Sequence, residues 1–205
     1  MLDGLANTAL VSAIAIAIGT VLGLLLGLAL AYGNLAVRIP ARAYVDVMRG
    51  IPVLVLVFFS FYGLGLVGLD IAAFEAGAVA LAGFCTAHIA ELARGAIASI
   101  PVGQTEAAKS IGLGFWQRVW YVVLPQAARR ILPPWVNTAV EIIKASSLLS
   151  VIGVVELLLA TQQIIGRTYK PIPFYLIAAV VYFAICYAVS WLGGRLERRY
   201  AYLKY

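Results

Sequence analysis

Charge is scarce in this sequence. Only 12% of its 205 residues are Asp, Glu, Lys or Arg, about half the share of an ordinary soluble domain. A soluble fold of this length needs far more polar surface to cover its core, so a soluble globular protein is excluded. Histidine occurs once, at His88, and cysteine twice, at Cys85 and Cys186, both within apolar segments. So few residues build neither a metal-ligand cluster nor a disulfide framework, and both cysteines read as small apolar packing groups. HExxH and GxSxG are absent, so neither a metalloprotease nor a serine hydrolase centre is supported. A phosphate loop of the form GxxxxGK followed by Ser or Thr is absent too, so the chain does not hydrolyse ATP by that route.

What is present is apolar: 63% of the residues are hydrophobic. Five stretches, approximately 8–33, 51–69, 74–93, 131–152 and 174–193, are long enough to cross a hydrocarbon core of about 30 Å. The first is preceded by Met1-Leu2-Asp3-Gly4, without a basic n-region, and is expected to be a retained span. The net charge of +6 reads as a topology signal and not as a nucleic-acid surface, because the basic residues sit at span edges. Arg38, Arg42 and Arg49 lie between spans one and two. Arg94, Lys109, Arg118, Arg129 and Arg130 lie between spans three and four, and Arg195, Arg198, Arg199 and Lys204 follow span five. The N-terminus and the connection between spans two and three carry Asp3, Asp70 and Glu75 but no Lys or Arg, and the last connection has only Arg167 and Lys170. This bias predicts an all-α integral membrane protein with its N-terminus outside and its C-terminus in the cytoplasm. Gly19, Gly23 and Gly27 recur every four residues in the first span, either as a helix-contact ridge or as glycines that a membrane helix tolerates.

Residues 99–130 are too polar to span and too apolar for a plain linker. Pro101 and Gly103 interrupt the third helix. Thr105 is expected as an N-cap with Glu106 in the first turn, and Gly112 and Gly114 are expected to end the short helix with positive φ. Phe115, Trp116, Val119, Trp120 and Val123 then recur at helical spacing, and Pro125 is expected to end or kink that helix. Two short helices around a glycine turn are either a docking element for another protein or an amphipathic hairpin on lipid headgroups.

The run Glu106-Ala107-Ala108, three residues, Gly112, nine residues, Val122, one residue, Leu124-Pro125 resembles the EAA signature of permease subunits of bacterial ABC importers, with Val122 where that family usually has Ile. Arg49-Gly50-Ile51-Pro52, Glu91, Arg94-Gly95, Gly103-Gln104, Pro125-Gln126-Ala127 with Arg130, Pro133-Pro134, Ser147-Leu148 and Val151-Ile152-Gly153 extend the likeness over nearly the whole chain. It is similar to the polar amino-acid subfamily of histidine, glutamine and arginine type.

The resemblance implies one transmembrane domain over residues 1–205 with the type I importer fold of five transmembrane helices, in the bacterial inner membrane. It implies a homo- or heterodimer with a second permease, an extracytoplasmic solute-binding protein, and two cytoplasmic ATPases that bind ATP and Mg, this chain holding no cofactor and catalysing nothing itself. Residues 99–130 would then carry the coupling helix, with Glu106, Ala107, Ala108, Gly112, Leu124 and Pro125 as its core, and the cargo would be an amino acid or a related small polar solute.

Charges inside spans need an explanation, because each costs about 2.5–3.5 kcal/mol at a span centre. Glu141 and Lys144, three apart, either pair with one another or line a polar pathway with Ser146 and Ser147. His88 is either a hydrogen-bonded packing group or a substrate contact. Glu91 and Arg94 look like a family-wide salt bridge. The subfamily usually carries a small acidic or amide residue where this chain has Ala145, and a serine or small residue where it has Glu141, so no relative's substrate preference carries over. The alternative within transport is a secondary transporter driven by an ion gradient; no internal repeat supports it, and five spans do not halve.

Overall fold

A computed structural model of the chain describes residues 1–66 and 68–201. Its helices are α1 (Leu2–Tyr32), α2 (Leu35–Gly50), α3 (Val53–Leu66), α4 (Ala73–Ala98), α5 (Val102–Ser110), α6 (Phe115–Ile152), α7 (Leu157–Thr168) and α8 (Pro171–Ala201). Four are long and apolar enough to cross a membrane, and the bent pair α2 and α3 makes a fifth crossing if taken as one span. Lys204, part of the basic C-terminal group, lies outside the described residues.

The bundle is organised around α4. Lipid gives no hydrophobic reward for bringing two apolar helices together, so association rests on close van der Waals contact. The glycines of α1 supply it. A β-carbon on Gly19, Gly23 or Gly27 would fall 2.5 Å from Cys85 Cβ, 2.6 Å from Ile89 Cβ and 2.5 Å from Ala93 Cβ respectively. A row spaced by four on one helix thus faces a row spaced by four on the other, and the glycines form a helix-contact ridge. Leu81, Ile89, Ile142 and Leu149 are fully buried in the adjoining core. By contrast, α8 exposes Val180, Phe183 and Tyr187, as a helix facing lipid or another subunit does.

Four expectations need correction. The connection after the first span is itself helical: α2 is capped by Asn34, whose side chain accepts from Val37 N. It then meets α3 at 109°, and among the described residues the second apolar stretch is helical over Val53–Leu66, starting later than the expected 51. Thr105 is not an N-cap, because α5 starts at Val102, directly after Pro101; the fixed φ of proline suits a helix start and leaves Thr105 inside. Gly114 has φ −65° and caps the start of α6, so of the two loop glycines only Gly112 has positive φ. Finally, Pro125 does not end its helix. A wider π-turn over Val119–Val123 precedes it, with Leu124 N donating to Val119 O, and the helix runs through the proline to Ile152. Such turns let a helix accept a residue that lacks the N–H.

Candidate functional site

The glycine turn is built by helix-end chemistry. α5 stops with Gly112 N donating to Lys109 O at 2.9 Å and Leu113 N to Ala108 O at 3.1 Å, the paired bonds that close a helix through a left-handed residue. Gly112 supplies that residue at φ +83°; an added Cβ would meet nothing within 4 Å, so conformation and not space requires glycine there. Gln117 Oε1 accepts from Gly114 N at 2.8 Å, and Arg118 donates to Leu113 O at 3.2 Å. These bonds fix the angle between α5 and the start of α6.

Within this frame Glu106, Ala107 and Gly112 are exposed, while Ala108 is buried. Trp116, Trp120 and Tyr121 are exposed at 69%, 62% and 75%, an aromatic surface beside the EAA helix. Leu124 is half-buried and Pro125 exposed. The loop is anchored to the bundle by Ala96, Ile100, Val123 and Ala127, and by Arg130, which donates to Ser99 O and to Ser99 Oγ at 2.6 Å. It is a hydrogen-bonded protrusion, packed against the bundle at its base, with an open outer face.

The charges within the spans and at their edges separate into two groups. Glu91 accepts from Arg94 Nη2 at 2.6 Å and Nε at 3.0 Å, and also from Arg42 Nη1 at 3.0 Å; Arg42 in turn holds Asp46 at 3.0 Å. The sequence reading missed the contact of Arg42 with Glu91, because it spans 49 residues; Asp46 joins the cluster through a local i,i+4 pair with Arg42. Glu141 and Lys144 do not pair: both are exposed, and neither belongs to an ion pair among the described residues. Both stand on the face of α6 that carries Asn137, at positions i, i+4 and i+7. Ser146 and Ser147 do not extend that open face equally. Ser146 is buried and donates to Ile143 O, while half-exposed Ser147 donates to Lys144 O. His88 is half-buried, with Nδ1 at 3.0 Å from Phe84 O and its ring 4.2 Å from that of Phe84, the arrangement of a packed histidine. Among the described residues no cluster of His, Cys, Asp or Glu could hold a metal ion.

A further buried acid, Glu156, had no signal in the sequence reading. It is 0% exposed and caps α7, accepting from Leu158 N and Leu159 N at 2.8 Å each and from the Tyr182 hydroxyl at 2.7 Å. Burial pushes its carboxyl above the usual range, partly opposed by those three donors. Around it, Asn7 donates to Val155 O, and Leu157 N donates to Thr8 Oγ. One short connection therefore ties α1, α7 and α8 together at the end of the bundle opposite the glycine turn.

Comparison with known proteins agrees over the whole chain. Residues 9–202 match the family described as binding-protein-dependent transport system inner membrane component. The chain is 38% identical to the probable amino-acid ABC transporter permease protein YckA of Bacillus subtilis (strain 168), over 98% of this chain and 89% of that one. It is 37% identical to the glutamine transport system permease protein GlnP of Escherichia coli (strain K12), over 97% and 92%. Among solved structures, an amino acid ABC transporter with histidines superposes with a TM-score of 0.91 at 35% identity, covering 97% of this chain and 92% of that one. The MetNI methionine ABC transporter shares the fold, with a TM-score of 0.84 at 23% identity over 97% and 95%. The chain belongs to the family of binding-protein-dependent transport system inner membrane components, and it is the pore-forming permease of an ABC importer with the type I fold.

Proposed function

We propose that this permease moves amino acids or related small polar solutes inward, with the energy supplied through residues 99–130. The observation that carries this reading is the hydrogen-bonded glycine turn, which presents exposed Glu106 and Ala107 on α5 and exposed Trp116 and Trp120 on α6 while its own bonds hold α5 against α6. A stiff protrusion of this kind converts movement of a docked partner into movement of α4 and α6, whereas a floppy loop would absorb it. The partners are two ATPases, which bind ATP and Mg, a solute-binding protein on the outer side, and a second permease, either identical or a paralogue. The chain itself catalyses nothing and holds no cofactor. Residues 1–205 act as one domain with the N-terminus outside and the C-terminus in the cytoplasm, as the basic connections favour.

The second permease has a physical rationale in α6. Glu141 and Lys144, which form no ion pair among the described residues, would be costly against lipid, so their face belongs to a water-accessible pathway between two copies. Binding-protein delivery would set most of the specificity, with Asn137, Glu141 and Lys144 contributing within the membrane. The named relatives that act on glutamine and other amino acids support cargo of this class.

The test is to tag the C-terminus, purify the chain from its native membrane in mild detergent, and identify what accompanies it, for wild type and for Gly112→Asp. An ATPase is expected with wild type and lost or uncoupled in the variant. A chain that carries no ATPase and moves solute down an ion gradient by itself would be a secondary transporter, and its loop a membrane-surface hairpin.

A further inference from the structure

Charge recurs along α2 at Arg38, Arg42, Asp46 and Arg49. One side of this helix packs: Ala41 and Val45 are buried with Leu30, Ala87 and Ala90. The other side is open, with Leu35, Val37, Ile39 and Val47 exposed by 46–64%. Together with the 109° bend into α3, this is the character of a helix that lies along the membrane interface, basic on one face and aliphatic on another.

Between α2, the end of α1 and α4 lies a pocket of about 450 Å³ lined by Leu30, Leu35, Arg38, Ile39, Arg42 and Arg94, inside the range of roughly 300–1,000 Å³ that ligand sites occupy. It sits at the same end of the bundle as the glycine turn, where Tyr32 meets Phe115 edge to face at 5.4 Å. Two of its guanidinium groups are held in place, Arg94 by Glu91 and Arg42 by both Glu91 and Asp46. Those bonds leave Arg42 Nη2 and Arg94 Nη1 without a partner among the described residues. Arg38 belongs to no ion pair there. Three guanidinium groups against two carboxylates keep the pocket positive, with donors to spare.

We propose that this pocket binds the headgroup of an anionic phospholipid. Arg38, Arg42 and Arg94 meet its phosphate oxygens, and Leu30, Leu35 and Ile39 hold the first methylenes of an acyl chain. Guanidinium groups match phosphate geometry, and basic pockets between membrane helices are suited to anionic headgroups. A soluble phosphate ester would satisfy the arginines equally well but would leave Leu35 and Ile39, 64% and 61% exposed, uncovered. The aliphatic wall is what selects a lipid. Occupied, the site ties the corner of α1, α2 and α4 to the leaflet nearest the glycine turn.

The transporter, as purified from its membrane, is delipidated and titrated with phosphatidylglycerol, with phosphatidylcholine of the same acyl chains, and with glycerol 3-phosphate, and bound molecules are counted by native mass spectrometry. Wild type is expected to prefer phosphatidylglycerol. Arg38→Gln is expected to weaken that binding about fivefold, the share of one arginine near an anionic surface, while Arg167→Gln, at an exposed arginine of α7, leaves it unchanged. Arg38 loses no ion-pair partner, so the variant keeps its melting temperature. Leu35→Asp, which sets a carboxylate in the aliphatic wall, is expected to abolish the preference. Equal phosphatidylglycerol binding by wild type, Arg38→Gln and Leu35→Asp overturns the proposal, as does equal binding of the two lipids by wild type. Displacement of phosphatidylglycerol by an equal concentration of glycerol 3-phosphate assigns the pocket to a soluble phosphate ester and overturns the lipid. Because bound lipid is the readout, the result stands apart from whether residues 99–130 couple to an ATPase.

Discussion

Tyr182 donates its hydroxyl to Glu156 Oε2 at 2.7 Å across 26 residues of sequence, joining α8 to the cap of α7. The same carboxylate holds the first N–H groups of α7, so its loss would orphan a helix end inside the protein. Glu156→Ala is expected to cost about 3 kcal/mol, and Tyr182→Phe about 1 kcal/mol, read as the order of melting temperatures in detergent. A Glu156→Ala variant as stable as wild type would remove the carboxylate from this role.

The same residue gives the protein a pH signature. Burial raises the folded-state pKa of Glu156 above the ordinary 4.5, so the protonated form is favoured by folding. Its contribution to stability is fully present below 4.5 and fades as pH rises through the raised value. Wild type is therefore expected to lose melting temperature as pH climbs above 4.5 and through the raised value, and Glu156→Gln to lose less. Parallel curves for the two proteins would contradict the assignment.

The α1 and α4 ridge predicts a lesion with its own repair. Gly19→Ala places a methyl 2.5 Å from Cys85 Cβ and 2.6 Å from Cys85 Sγ, with Ala82 O next at 3.2 Å. Overpacking of this kind costs about 1–3 kcal/mol, read as a lower yield of folded protein. Cys85→Gly, which removes both of the nearest atoms, is expected to restore much of that loss in the double variant. Failure of the second change to help would mean the helices do not meet there.

How far the sequence could be read depended on the range of each interaction. The Gly112 turn was legible because it is written in local spacing; the same spacing marked Gly19, Gly23 and Gly27 but left open whether they form a contact ridge, which the facing Cys85, Ile89 and Ala93 decide. Gly114 was misassigned because glycine alone does not distinguish a left-handed end from an extended cap; the bond from Gly114 N to Gln117 makes it the latter. α2 was missed because its charges and Pro40 disguise a helix buried only along Ala41 and Val45. The Tyr182 bond to Glu156 and the Arg42 contact to Glu91 join residues 26 and 49 positions apart, and no local pattern encodes them.

The two loop glycines make a matched pair for testing coupling. Gly112→Ala forces a side chain into φ +83°, at a cost of about 1–2 kcal/mol, and is expected to loosen the turn and reduce ATP hydrolysis stimulated by the binding protein. Gly114→Ala keeps an ordinary φ of −65° and should leave that stimulation near wild type. Equal defects in both would mean that the sequence of the loop matters and its fixed angle does not.

The charged face of α6 separates architecture from transport. Glu141 and Lys144 are exposed and belong to no ion pair among the described residues, so neutralising either removes no ion pair there. Glu141→Gln and Lys144→Met are each expected to change stability by no more than about 0.5 kcal/mol, as substitutions at positions without partners do. In a pathway between two permeases, however, these side chains are among the few polar groups a solute meets within the membrane, so uptake in proteoliposomes is expected to fall with ATP hydrolysis retained. A variant that loses stability and transport together would place the pair at a contact between subunits. One that keeps both would remove Glu141 and Lys144 from the pathway, leaving Asn137 as the polar group on that face.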